Sequence, residues 1–499
     1  MSDYLSGFKS FDEFVQSLID ISQGVRVQLQ SFIVPLLAVM TFVLAAILGL
    51  VAFELEPRFV ELALAGIAGF LLLLCGAEFV MITLIVISST LVDVQTLPRL
   101  FGFYLPELLA LLLVALVLIN HLSNRENFVH TPLDLSLLLF VGATILSLLN
   151  AKYNLGTVSN LRNSVTRTML IYLLFFAVTN LIKNRRQLMT LVGSMLIMAT
   201  IVAGFMVVQQ AVGSAISIIP GRAGVASATV LGQEAVGTVR IVGLPGVAIV
   251  YMMLLPALIL YLTPEYMKGR KWLLFISVGL LPLAITFTFS RNLWLGAIGG
   301  GVVFVLLSRL QGRRFVFLIL IVALGAVLLG TLLSAYFPRI ETVAEGLTAR
   351  FSSLFAGDEL VYDSSTQGRL KENEYAIAKI KEYPFLGIGP MADYYDSMYK
   401  NTYYVHNAYL WILLDFGIVG FVPFVWFSII YLLRGTLYWV ESQEPILKGI
   451  VIGLTISYIA ILISSIATPK LLELSSVPLI AMMLGINEVA MRLGKGSTH

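Results

Sequence analysis

Three basic residues hold most of the chemistry this sequence could perform. His406 stands in YYVHNAYLWILLDFG, where a polar stretch gives way to an apolar one; Arg291 stands in FTFSRNLWLGAIGG, between two apolar runs; Arg240 stands in GTVRIVGLPG, closing a Gly-rich segment. Histidine titrates near neutrality, so at the rim of a membrane helix it can take the proton of a hydroxyl. Its other reading is an interfacial residue that hydrogen-bonds the start of a helix. A guanidinium keeps its proton, and its planar fork matches phosphate oxygens, so an arginine at a helix end can hold a diphosphate. Such an arginine can equally snorkel to water. Arg222 in IPGRAG and Arg369 in QGRLKENEYAIAKIKEYPFLGIGP are further anion-binding candidates. Glu234 is the one acid near Arg222 and Arg240 in the sequence.

The elements that must position these residues follow from composition. Hydrophobic residues make up 58% of the 499, charged residues only 12%, and the mean hydropathy is +0.92. A soluble globule carries about 25% charge, so the chain is read as an all-α integral membrane protein. Judged against the roughly 20 residues that cross a bilayer, apolar segments fall at 32–53, 59–76, 78–93, 104–121, 133–150, 165–183, 188–211, 243–263, 272–289, 292–308, 315–335, 405–433, 446–467 and 475–491. That predicts about 14 transmembrane helices, within a range of 12 to 14, since 59–76 and 78–93, joined at Glu78, can form either a tight hairpin or a re-entrant pair. The expected organisation is an amphipathic amino-terminal segment at 1–31, eleven spans within 32–335, one long hydrophilic loop with short helices at 336–404, and three spans with a short tail at 405–499. Gly387 and Gly389, after Pro384, should turn that loop back to the membrane.

Lysine and arginine set the orientation, because short cytoplasmic loops retain them. With the amino terminus inside, the short inner segments hold sixteen of these residues and the short outer ones nine. Both termini are therefore expected in the cytoplasm. His121, His130 and His499 fall on that side, leaving His406 and the loop 336–404 on the outer face.

Several functions are disfavoured. Cys75 is the single cysteine and lies in an apolar run, so no disulfide framework or thiolate metal site is expected. No Gly-rich phosphate cradle, Asp-rich metal motif or zinc spacing occurs, so no metal and no cofactor are expected. A net charge of +3 without a basic block argues against nucleic acid. Glu372, Glu374 and Glu382 alternate with Lys371, Lys379 and Lys381, which reads as a solvated helix face.

Three motifs in succession, SRNLWLGAIGG, GRLKENEYAIAKIKEYPFLGIGP and HNAYLWILLDFGIVGF, resemble the signatures of the bacterial O-antigen ligase and O-antigen polymerase superfamily. The resemblance covers about residues 286–421. It implies a multi-helix inner-membrane glycosyltransferase that takes a glycan from undecaprenyl diphosphate on the periplasmic side and passes it, with inversion, to a sugar hydroxyl of a glycan or lipid-anchored acceptor, without metal or nucleotide cofactor. It assigns His406 as the base and Arg291 with Arg240 as diphosphate ligands; Asn407 adjoins the histidine and Asp415 stands where the family often has Glu. After Arg240 this chain has GLPGVAIVY where many members show an Asn-Pro-Asn-like stretch. Fourteen spans exceed the twelve usual in ligases, which leans toward a polymerase. The rival reading is a transporter whose polar residues line an anion path; it would show internal repeats and polar groups throughout the bundle.

Overall fold

The computed structural model describes residues 77–89, 104–124, 127–155, 161–212, 227–230, 233–239, 245–267, 271–334, 344–348, 351–352, 364–390 and 405–496. The amphipathic segment 1–31, the expected spans 32–53 and 59–76, Arg222 and Arg240 lie outside the described residues. The chain divides into two compact units, Met1–Thr83 and Leu84–His499. Of the first, the described residues are 77–83, the opening of helix α1 (Ala77–Ser89). The second holds the remaining described elements.

Its helices are α2 (Leu105–Asn124), α3 (Asp134–Asn150, extended by a π-helical turn Ala151–Leu155), α4 (Leu161–Leu181), α5 (Arg185–Val212), α6 (Pro245–Tyr261), α7 (Pro264–Met267), α8 (Lys271–Thr286), α9 (Arg291–Leu307), α10 (Arg309–Ser334), α11 (Ser364–Glu382), α12 (Ala408–Glu441), α13 (Pro445–Ser464) and α14 (Val477–Gly496). A short antiparallel hairpin, β1 (Ser227–Val230) with β2 (Gln233–Val239), occupies part of the segment expected to be a Gly-rich loop. Among the described residues, six helices, α2, α3, α5, α12, α13 and α14, are long and apolar enough to cross a membrane; α1, α4, α6, α8 and α9 have shorter apolar stretches. Large apolar side chains point outward, among them Leu122, Phe275, Leu306 and Phe317. In water such a surface is a liability, whereas in lipid it is the required face. The molecule is a multi-pass membrane protein.

α13 is the centre. It packs against α6, α9, α12 and α14, and from Ile450 to Ile461 nearly every residue is buried. Lipid offers no hydrophobic drive between helices, so close contact and interhelical hydrogen bonds must hold them. Both are present. A Cβ on Gly296 of α9 would lie 2.5 Å from the Ala460 carbonyl, and one on Gly300 would lie 3.2 Å from the Ala460 Cβ. The two glycines, four residues apart, give α9 a flat stripe on α13. Across the other faces, Tyr251 Oη donates to the Ala460 carbonyl (3.0 Å), Ser457 Oγ to the Met252 carbonyl (2.7 Å), and Ser428 and Tyr458 share a hydroxyl hydrogen bond (2.8 Å).

The end of the bundle away from His406 is held by charge. Arg185 pairs with Glu444 at 2.7 Å. Arg434 grips Glu488 with two prongs, at 2.9 and 2.6 Å. Arg492 donates to the Thr179 and Ile182 carbonyls, the unsatisfied acceptors where α4 stops. These cations belong to the segments that the charge count places together on the inner side.

Candidate functional site

α12 is largely apolar, and its sequence predicts one span; the backbone nevertheless breaks at Gly417, with φ 61° and ψ −164°. A break strands two carbonyls and two amides, which must find partners inside a membrane protein. The PFLGIGP loop after α11 supplies most of them. The Ile388 amide donates to the Leu414 carbonyl at 2.9 Å; the Ile418 and Val419 amides donate to the Pro384 and Phe385 carbonyls at 2.9 and 3.1 Å. The Asp415 carbonyl accepts from Ser147 Oγ of α3. Bare backbones are needed for this approach. A Cβ on Gly417 would stand 2.2 Å from the Phe385 oxygen, and one on Gly387, itself at φ 70°, would stand 2.4 Å from the Leu414 oxygen. Gly389, at φ 98°, lies against Ala151, the first residue of the π-helical turn. The loop is thus clamped to the broken helix, and α11 with it.

From that clamp α11 and the first part of α12 rise side by side. Ten residues separate Glu372 from Glu382, and nine separate Ala408 from Gly417, about 15 and 14 Å of helix. At the top, His406 Nδ1 lies 2.6 Å from Glu372 Oε2, with the two side chains 31% and 25% exposed. Glu372 is therefore not part of the solvated face that its alternation with lysines suggests. That pattern does describe Lys379 and Glu382, which pair at 2.7 Å in the open, the hydrogen bond to Glu382 raising the Lys379 pKa. Asn407 caps α12, its Oδ1 accepting from the Tyr409 and Leu410 amides at 2.9 and 3.2 Å. This frees the preceding histidine from capping duty.

Arg291 is the first residue of α9 and is partly exposed. The turn before it is tight: Thr288 Oγ1 accepts from the Ser290 amide at 3.2 Å, and buried Phe289 takes φ 50°, packed against Phe287 and Leu347. An aromatic residue in that region costs about 1 to 3 kcal/mol and persists where surrounding packing forces it. Two contacts to the end of α13 tie Arg291 and His406 to one rim. Asn292 Nδ2 donates to Thr468 Oγ1 (3.2 Å), and the Ala408 amide donates to the Ser465 carbonyl (2.9 Å). The structure thus brings together the helix starts that carry Arg291, His406 and Asn407.

The other candidates fall elsewhere. Arg369 lies one turn before Glu372 on α11, partly buried. Asp415 is buried in the clamp, about 10 Å along the helix from Ala408. Sequence reasoning missed Glu372 as a partner of His406, and it also missed Arg167. Arg167 is buried, its guanidinium 5.8 Å from the Trp411 ring centre and donating to the Leu472 carbonyl at 3.2 Å. It braces the segment after α13 against α12. Its position six residues into α4 was the available signal, since charges there are costly unless partnered. Among the described residues, no group of three or more His, Cys, Asp or Glu comes together to hold a metal.

Residues 272–425 match the family model described as O-antigen ligase. The match starts in α8, takes in the Arg291 turn, α11, the clamp and His406, and ends within α12. It bears out the superfamily resemblance that the three motifs carry. No curated protein matches the chain.

Proposed function

We propose, from the O-antigen ligase domain at 272–425, that this protein transfers a glycan from undecaprenyl diphosphate to a sugar hydroxyl of a glycan or lipid-anchored acceptor in surface-polysaccharide assembly. The observation that carries the proposal is the shared rim: Arg291 and His406, 115 positions apart in sequence, open two helices that meet the same end of α13. A reaction that expels a diphosphate while deprotonating a hydroxyl needs a cation and a base close together. The acceptor oxygen attacks the anomeric carbon with inversion, His406 takes its proton, and the bond to the diphosphate breaks with the electron pair leaving on the phosphate. Arg291 and Arg240 hold that charge, with Arg222 and Arg369 in support and membrane lipids around them. The rim faces the periplasm of a bacterial inner-membrane protein with 12 to 14 spans and both termini in the cytoplasm. A transporter would need polar groups along a path, whereas α13 from Ile450 to Ile461 is mostly apolar and its Ser457 and Tyr458 are hydrogen-bonded to α6 and α12.

The test is purified protein with lipid-linked donor and acceptor. General-base help is worth roughly 10² to 10⁴ in rate, so His406→Asn should fold, bind donor and lose at least 10²-fold in transfer. Near-normal transfer by folded His406→Asn would overturn the assignment. Cysteine labelling fixes the side: Ser364→Cys should react in intact spheroplasts, and a need to permeabilise the inner membrane would reverse the topology.

A further inference from the structure

We propose that Glu372 is the positioning residue of His406, selecting which ring nitrogen takes the proton; the inference rests on the base reading of His406 above. The 2.6 Å contact runs from Glu372 Oε2 to Nδ1. A carboxylate only accepts, so Nδ1 carries the hydrogen and the lone pair that receives the acceptor's proton is on Nε2. As the hydroxyl O–H bond breaks and the new C–O bond forms, that proton passes to Nε2 and an imidazolium appears. Glu372 then faces a full positive charge, which it stabilises more than the neutral ring, so the contact strengthens in the transition state.

The placement is built rather than incidental. Glu372 is only 25% exposed, whereas its neighbours Lys371 and Glu374 are open to solvent. It is delivered by a helix whose far end is fixed, backbone to backbone, to the break in α12. The nearly equal rises of α11 and α12 from that clamp set the carboxylate at the height of the imidazole. The base thus becomes competent only when α11, an element of the hydrophilic segment between the membrane helices, is docked.

Glu372→Gln separates this role from a structural contact. The amide keeps the size and can still hydrogen-bond, so α11 stays docked, but it can also donate to Nδ1 and leave the hydrogen on Nε2. The expected result is a fall in kcat of tenfold or more with donor KM within about twofold, and a shift of the His406 ¹⁵N ring signals toward the Nε2–H tautomer, the signals being assigned by their loss in His406→Asn. Wild-type kcat, or unchanged ring signals, in folded Glu372→Gln while His406→Asn is inactive overturns the positioning role and leaves the base reading standing. An active His406→Asn overturns both.

Discussion

Replacing Gly417 by alanine tests whether the clamp holds the site together. The native φ of 61° and ψ of −164° belong to a region almost confined to glycine, where a side chain costs about 1 to 3 kcal/mol. The added Cβ would stand 2.2 and 2.3 Å from the Phe385 oxygen and carbon and 2.7 Å from the Gly387 nitrogen. All three are backbone atoms, so no rotamer change relieves the clash, and the loop must lift. Lifting breaks the two hydrogen bonds from the Ile418 and Val419 amides, each worth about 0.5 to 1.5 kcal/mol net. The sum, about 2 to 6 kcal/mol, raises local opening by roughly thirtyfold or more. Hydrogen exchange followed by mass spectrometry should show this in peptides spanning 384–390 and 414–420. Transfer should fall in step, since α11 carries Glu372 to His406. Gly193→Ala in α5 is the control, because a Cβ there meets nothing within 4 Å. If Gly417→Ala exchanges like wild type in both peptides, the backbone pairing is not what anchors α11, and the reasoning fails.

Three further outcomes are expected from the packing and the rim. Arg434→Met strands the Glu488 carboxylate, whose side chain is 4% exposed, and should cost about 3 to 5 kcal/mol in thermal unfolding, most of it recovered by adding Glu488→Leu; an equally unstable double variant would refute the pairing as the cause. Gly300→Leu overpacks the α9–α13 contact by about 1 to 3 kcal/mol and should weaken thiol cross-linking between Asn292→Cys and Thr468→Cys, groups now 3.2 Å apart; undiminished cross-linking would show that α9 tolerates the bulk. Arg291→Lys keeps the charge but loses the fork, so kcat/KM for donor should drop at least tenfold, and further in Arg291→Gln. Equal activity of Arg291→Lys and wild type would show that no bidentate phosphate contact is made.

Much of the described membrane body was legible because apolar runs end at charges, caps and prolines. The segments expected at 104–121, 133–150, 292–308 and 446–467 appear as Leu105–Asn124, Asp134–Asn150, Arg291–Leu307 and Pro445–Ser464. The break in α12 was not legible. Apart from Asp415, LLDFGIVGF is apolar on both sides of the break, and a glycine within a helix pattern does not reveal whether its backbone turns left-handed. The deciding partner, Phe385, lies 32 residues upstream, and no local pattern records such a pairing. The Ser227–Val239 hairpin escaped for a related reason, since its short small-residue strands lack the alternation that marks a half-buried face.

The same distinction divides the motifs into two kinds of work. In SRNLWLGAIGG, Gly296 and Gly300 let α9 approach α13, while Arg291 stands at the rim. In GRLKENEYAIAKIKEYPFLGIGP, Gly387 and Gly389 close the clamp, while Glu372 reaches His406. In HNAYLWILLDFGIVGF, Gly417 opens the helix for the loop, Asn407 caps its start, and His406 meets the carboxylate. Each motif thus joins a bare-backbone contact, deep in the bundle, to a polar side chain further along a rigid helix. A charge pattern cannot distinguish Glu372 from Glu374 or Glu382, because what singles it out is its distance from the clamp. Inserting one alanine after Glu372 would turn the preceding part of α11 by about 100° and lift it by about 1.5 Å, while inserting one before Gly368 would leave Glu372 in register. If the first insertion lowers kcat no more than the second, helix length from the clamp does not set the position of the carboxylate.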